Sequence, residues 1–500
     1  MHNGICFDAP VLRETWKVTM KSSQVCDTLV LSRLLSPSLE GGHSLAAWGQ
    51  RLGFPKDDFS DWDGGLTPEM EKYCIQDTLV TEKLYKHLVS ELKHQKFDQR
   101  SIDLEHKVQA IIAKQERNGF KLDERKATVL LSELTSKLAA IEVEMQSIFP
   151  AKTIERVSEK TGKPLKAKVE VFNPGSRKQI GERLIEKGWK PDRFTETGQP
   201  IVDEGTLEGL NIPETKAINE YLMLQKRVAQ IESWLKALGS DGRVHGKVIT
   251  NGAVTGRMTH MSPNMAQVPN SGSPYGEDCR DLWTVEKGYK LVGIDASGLE
   301  LRMLAHYMQD DAYTNEVVSG DIHTANQKAA GLETRNQAKT FIYAFLYGAG
   351  DAKIGKVVGA GAKEGQQLKA RFLQNTPSLK TLREKVGRIS QTSGTLPGLD
   401  GRRLQVRSEH AALNTLLQSA GAIVMKEALV ILNDNLRRAK IDYKFVANVH
   451  DEWQIEVEEG RADEVGKIGA KAIELAGVSL NMRCPLAGEY KVGNSWKETH

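Results

Sequence analysis

Arg335, Lys339, Tyr343 and Tyr347 recur at every fourth position of the segment RNQAKTFIYAFLYGAG. On a helix each such step drifts by only about 40°, so the four side chains line one narrow stripe. Two cations at its start can grip a triphosphate, and two rings further along offer flat faces to a base and a sugar. A solvated basic face beside core aromatics accounts for the residue types but not for their order along the stripe. Asp295 is a second candidate: it ends the apolar run 291–294, and an Ala-Ser-Gly turn after it leads to Glu300 and Arg302. A carboxylate closing a buried strand is held rigidly yet points into a cleft, which suits Mg²⁺ and its shell of carboxylate, water and phosphate oxygens. A simple helix cap is the competing reading of that aspartate. The third candidate is His450-Asp451-Glu452, at the tip of a hairpin between the apolar runs 445–449 and 453–457. Acids crowded at a tip repel one another; set beside Asp295, they can bridge two cations, one at an attacking and one at a leaving oxygen.

The elements that must position these groups are readable from periodicity. Strands are expected near 290–294, 445–449 and 453–457, and helices near 299–309, 335–347 and 409–438. Upstream, 102–148 has the three-and-four spacing of two long helices, and 213–238 returns to helix. Between them, 151–176 reads as a basic, turn-rich stretch, broken by Thr-Gly-Lys-Pro and Asn-Pro-Gly. Residues 1–100 mix apolar runs such as DTLVLSRLL with glycine breaks and read as a small α/β unit.

A chain of 500 residues with 40% apolar and 27% charged residues is expected to fold as two or three domains. The net charge of +3, from 68 basic and 65 acidic residues, excludes a uniformly basic coat but allows a basic groove beside acidic ligands. Charge is locally uneven: 152–178 holds eight Lys/Arg against three Glu, which suits a phosphate-tracking surface or a solvated loop. The five cysteines (Cys6, Cys26, Cys74, Cys279, Cys484) include no closely spaced pair, so reduced thiols in the cytoplasm are expected. No apolar run approaches the ~18 residues needed to span a bilayer, and the start MHNGICFDAP is unlike a signal peptide, so no membrane partner is expected.

DASGLELR, RNQAKTFIYAFLYG and VHDE resemble, in order and spacing, motifs A, B and C of the DNA polymerase I family, or family A. NGAVTGRMTH, NMAQVP, GDIHT and HAALNTLLQSAGA extend the resemblance over nearly the whole chain, and it is closest to replicative polymerases of short-tailed bacteriophages. The resemblance implies an α/β (α+β) right-hand fold: exonuclease-like 1–100, thumb 101–238, palm 239–310 and 409–500, fingers 311–408. It implies Asp295, Asp451 and the Ala296 carbonyl as ligands of two Mg²⁺ ions, with Mn²⁺ able to substitute. Lys339, Arg335 and His323 become triphosphate contacts, with Lys339 placed to protonate pyrophosphate. Tyr343 packs on the incoming sugar and implies acceptance of dideoxynucleotides, Tyr347 stacks near the template base, and Glu300 is the steric gate against a ribose 2′-hydroxyl. Arg257, Gln267, Asn414, Gln418 and His450 become contacts to primer–template DNA. The implied partners are DNA, dNTPs and a phage helicase-primase or processivity factor, for a monomer in the cytoplasm of an infected bacterium.

Two departures from the family pattern shape the expectations. HNGICFD and YCIQD resemble the second and third motifs of an RNase H-like 3′–5′ exonuclease, offering Asn3, Asp8, Tyr73 and Asp77, but the first Asp-x-Glu motif is missing. The expectation is a truncated domain without editing activity. The stretch of roughly twenty residues at 151–171 is too short for the processivity-factor module of the phage relatives. Three rival readings remain: a single-subunit RNA polymerase, opposed by Glu300; a stand-alone nuclease, opposed by its incomplete site; and an inactive DNA-binding scaffold, opposed by Asp295, Lys339 and Asp451.

Overall fold

The computed structural model describes residues 1–20, 24–63, 65–157 and 162–500. Glu159, Lys160 and Thr161, part of the basic stretch read from the sequence, lie outside the described residues. The chain divides into two compact units: Met1–Phe120 with His245–Gln267 and Val285–His500, and Lys121–Val244 with Val268–Thr284.

The first unit is organised by a four-stranded antiparallel sheet in the order Tyr443–Val449, Glu452–Glu458, Tyr289–Ala296, Gly488–Gly493. Its register sets Asp295 opposite Glu452 on one side and Glu489 on the other. The strand Glu452–Glu458 alternates apolar and polar residues, the usual mark of a half-solvated strand. Here both faces are covered: Trp453, Ile455 and Val457 are buried in the core, and Gln454 and Glu456 are buried as well. Gln454 accepts from the Thr499 hydroxyl at 2.8 Å, and Lys444 Nζ donates to Glu456 at 3.2 Å, so the buried polar groups are satisfied.

One helix packs on this sheet and a second packs on that helix. Ala412–Arg438 is buried along most of its length, and Ala462–Ser479 packs against it and against the strand of Asp295. At Gly469 an added Cβ would lie 2.2 Å from Ile294 Cδ1, so this helix approaches the strand only because the residue is glycine. The apolar window of Glu409–Arg438, mean hydropathy 1.5, is long enough to cross a membrane by length and composition. Since 78% of that window is buried inside the protein, its apolar surface is already occupied.

The helix Arg335–Leu346 begins on a capping box. Thr334 Oγ1 accepts from the Gln337 amide at 3.1 Å, and Gln337 Oε1 accepts from the Thr334 amide at 3.0 Å. Its inner face buries Ala338, Phe341, Ile342, Phe345 and Leu346. Thr334→Ala is expected to cost about 1 kcal/mol, read as a lower urea midpoint at unchanged slope.

Residues 1–100 differ from the sequence reading. No strand occurs among the described residues there; the elements are the helices Asp8–Trp16, Thr28–Leu35, Leu45–Arg51 and Pro68–His94. The run read as part of an α/β unit is a helix because Asp27 caps it, accepting from the Leu29 amide, and Val30, Leu31 and Leu34 share its buried face. The second unit also departs. Its long helices Glu124–Ile148 and Glu214–Lys236 match the expected periodicity. The stretch expected to be turn-rich instead pairs Lys152–Val157 with Pro164–Glu170 as an antiparallel hairpin. The charged side chains that suggested a loop are tolerated because the hairpin is largely solvent-facing.

Candidate active site

The strand that carries Asp295 and the hairpin tip that carries Asp451 are adjacent: the Ala296 amide donates to the Asp451 carbonyl at 3.2 Å. His450 opens the two-residue turn with φ 57°, a left-handed conformation uncommon for a residue with a side chain. Burial raises the Asp295 carboxyl to about 7, with Asp451 and then Glu452 adding to it. Asp451 is raised to about 6, again by burial first and then by Glu300. Asp295 reaches solvent through the cleft although the cleft walls strip much of its hydration. Negative charge is therefore in surplus where these strands meet, and hard carboxylate oxygens facing a cleft fit a divalent cation such as Mg²⁺. Among the described residues no three His, Cys, Asp or Glu side chains converge as a closed metal cage. A pair of carboxylates leaves coordination positions open to substrate oxygens, as a catalytic ion requires.

Glu452, the other acid of the tip, has a different position. It is buried and accepts from Gln454 Nε2 and Trp496 Nε1, with His500 Nδ1 at 2.8 Å. These partners hold it within the sheet.

The helix Arg335–Leu346 presents the predicted stripe on its outer face: Arg335 and Lys339 exposed, Tyr343 half-buried, and Tyr347, as its C-cap, 44% exposed. At its N-terminal end, Arg335 Nε donates to Asp321 Oδ2 at 2.8 Å. Asp321 also caps the helix Ile322–Ala330, which places His323 beside the stripe. The His323 imidazole is held below its usual value by burial, then by the positive charges of Arg335 and Lys339. Its Nδ1 atom has no partner among the described residues. Three nitrogen-bearing side chains thus face one region at the start of the stripe.

Further along, the His323 and Tyr343 rings lie 6.2 Å apart. Burial raises the Tyr343 hydroxyl, and the charges of Glu300 and then Asp451 raise it further. Tyr347 donates its hydroxyl to Glu300 Oε1 at 2.8 Å, and Arg257 Nη2 lies 3.6 Å from the same oxygen. Asn414 and Gln418 are the half-exposed positions of the first turns of Ala412–Arg438, and Gln267 is exposed on the short turn Met265–Gln267. His450 stands at the tip, where burial and then Arg257 hold its imidazole below the usual value, and burial and then His450 lower that of His260 to about 4.

A family model for DNA polymerase family A matches residues 143–498. The chain belongs to DNA polymerase family A. DNA-directed DNA polymerases of Enterobacteria phage T3 and Escherichia phage T7 are each 36% identical, with 100% of this chain and 92% of each relative covered. DNA polymerase I of Aquifex aeolicus is 27% identical over 97% of this chain and 86% of its own. Among solved structures, the POL domain of Pol1 from M. smegmatis, in complex with DNA primer-template and dNTP, superimposes with a TM-score of 0.81. It is 21% identical, and 95% of this chain and 82% of that one are covered. The enzyme is a DNA-directed DNA polymerase of a metal-dependent family.

Two residues beside the predicted ones escaped the sequence reading, one at the polymerase site and one at the exonuclease-like remnant. Asp321 pairs with Arg335, and its signal was present: an Asp before Ile-His-Thr at a helix start is a cap signature. Lys56 was not visible as a partner of the exonuclease-like residues. Its ammonium bonds Asp77 Oδ2 at 3.0 Å and the Tyr73 hydroxyl, and lies 4.5 Å from the Tyr73 ring centroid. No hydrogen bond or ion pair joins Asp8 to Tyr73 or Asp77 among the described residues, and the Asn3 backbone amide donates to Asp27 at 2.8 Å.

Proposed function

We propose that the polymerase extends a DNA primer 3′-hydroxyl with dNTPs by two-metal nucleotidyl transfer, in the replication of a phage genome. The observation that carries this reading is the position of Tyr343. Its ring lies 6.2 Å from His323 on one side and within electrostatic reach of Glu300 and Asp451 on the other. In this reading the cations at the start of the stripe take the triphosphate, the ring of Tyr343 takes the sugar, and the carboxylate pair serves the α-phosphate that the primer 3′-oxygen attacks. Asp295 and Asp451, with the Ala296 carbonyl, hold Mg²⁺ in this reading, and two ions when bound supply Lewis acidity at the attacking and leaving oxygens. Arg335, Lys339 and His323 neutralise the triphosphate, and the Lys339 ammonium is the proton source for departing pyrophosphate. Tyr343 packs on the sugar, Tyr347 borders the template base, and Arg257, Gln267, Asn414, Gln418 and His450 face the primer–template. The test is extension of a primed DNA template with dNTPs or with NTPs alone. DNA synthesis confined to dNTPs is the expected result; equal use of both, or none of either, overturns the reading.

Editing activity is not part of this proposal. The carboxylate of Asp77 already has a cation in Lys56, and among the described residues Asp8 does not join it. With Mg²⁺ and no dNTPs, a labelled primer with a 3′ mismatch is expected to stay intact. Stepwise shortening that Asp77→Ala abolishes would reverse this conclusion.

A further inference from the structure

Glu105, Asp400, Arg402 and Lys426 form a cluster of four charges excluded from water, at 0%, 1%, 3% and 1% exposure. Arg402 Nη2 lies 2.7 Å from Glu105 Oε1 and 2.6 Å from Asp400 Oδ2, and Lys426 Nζ donates to the same Glu105 oxygen at 2.6 Å. The formal charges cancel. Burying two ion pairs costs desolvation that their attraction barely offsets, and apolar side chains of similar volume often stabilise a fold equally well. What such a cluster does supply is a fixed geometry at its unengaged donors.

The remaining arm of Arg402 supports the loop that delivers Arg257. Arg402 Nη1 donates to Asn251 Oδ1 at 3.4 Å, and Asn251 Nδ2 donates to the Arg33 carbonyl at 2.9 Å. Gly256 has φ +75°, and a Cβ there would lie 2.7 Å from Arg402 Nη1 and 3.3 Å from Asn251 Oδ1. The backbone just before Arg257 therefore rests directly on the guanidinium. The loop closes on itself there, with Gly256 N donating to Ala253 O at 2.8 Å and Ala253 N to Arg257 O at 3.2 Å. Lys426, the other cation of the cluster, lines a cavity of about 30 Å³ shared with Arg257, His450 and Asp451.

We propose that Arg402 is a positioning residue for primer–template binding: held by Glu105 and Asp400, it sets the 251–257 loop so that Arg257 meets the DNA beside Glu300 and Tyr347. The inference rests on the reading of Arg257 as a DNA contact. Arg402 touches neither substrate nor metal, so its effect belongs in DNA affinity and not in the chemical step.

The test is steady-state extension by Asn251→Ala, Arg402→Lys, Arg257→Ala and the Asn251→Ala/Arg257→Ala double variant, with thermal melting of each. Asn251→Ala leaves the four charges intact, and Arg402→Lys keeps the charge but removes the fork. Each is expected to raise the KM for primer–template about tenfold, with kcat at saturating DNA and the KM for dNTP within about twofold of the parent. In the double variant, loss of Asn251 is expected to add little to loss of Arg257, because both remove one interaction. An Asn251→Ala enzyme with unchanged KM for DNA overturns the inference while Arg257→Ala still raises it, as does a double variant whose losses multiply. If Arg257→Ala itself leaves that KM unchanged, the reading of Arg257 fails first and the inference falls with it. Should Arg402→Lys fail to fold, Asn251→Ala and the cycle decide alone.

Discussion

Primer extension is expected to collapse when Asp295 or Asp451 is replaced by Ala or Asn, while primer–template binding persists. The two carboxylates are brought to one cleft by adjoining strand ends, through the Ala296–Asp451 backbone hydrogen bond. Removing a group that organises charge at the reacting oxygens costs on the order of 4 kcal/mol of barrier, or about 10³-fold in rate. In the proposed reading DNA affinity resides elsewhere, in Arg257 and the half-exposed amides of Ala412–Arg438, so a gel shift should move little. A second readout separates loss of function from loss of fold. Asp295 and Asp451 are both pushed up by burial, and Asp451 is the largest neighbouring charge acting on Asp295. Neutralising one relieves that repulsion, so the Asn variants in EDTA should melt no lower than the parent, and should lose the stabilisation that Mg²⁺ gives it. Near-normal extension by any of these variants would remove the assignment.

The parts of this site legible in the sequence are those in which local geometry decides. A fourfold spacing on one helix puts Arg335, Lys339, Tyr343 and Tyr347 on one stripe whatever surrounds it. A charged residue closing an apolar run put Asp295 at a strand end, where the structure has it. The pairings that tie these pieces together were not legible, because they join residues far apart in the chain. The Tyr347–Glu300 bond spans 47 positions and the Lys426–Glu105 bond 321. The helical character of residues 1–100 was missed because a short apolar run such as DTLVLSRLL fits strand or helix until its cap and packing partners are known. The acids of the tip also looked equivalent, although the sheet's own partners take Glu452 and leave Asp451 to the cleft. The buried cluster around Arg402 was the least visible part, since nothing in a window of sequence marks charges that will be neutralised by one another in the core.

Sugar selection is expected to rest on Glu300, and Glu300→Ala should raise ribonucleotide incorporation by about 10²- to 10³-fold relative to dNTP use. Glu300 sits in the first turn of Leu299–Met308, half-exposed, with its carboxylate held by the Tyr347 hydroxyl at 2.8 Å and by Arg257 at 3.6 Å. A side chain held from two directions is restrained from swinging aside, so in the proposed reading it excludes a 2′-hydroxyl by position; a selectivity of about 3–4 kcal/mol corresponds to the expected change. Ala leaves open space there and removes an acceptor that a deoxyribose never used, so dNTP incorporation should fall by less than about tenfold. Tyr347→Phe provides the graded case: it removes one of the two tethers but keeps the carboxylate, and should relax discrimination by only a few-fold. Tyr343→Phe acts on the neighbouring face of the sugar. It should reduce dideoxynucleotide use selectively, because the hydroxyl it loses is the polar group nearest the missing 3′-hydroxyl in this reading. Single-nucleotide incorporation with dNTP, NTP and ddNTP measures all three variants. If Glu300→Ala leaves the dNTP/NTP ratio unchanged, the sugar does not lie against Glu300, and the stripe from His323 to Tyr347 must hold the nucleotide in another orientation.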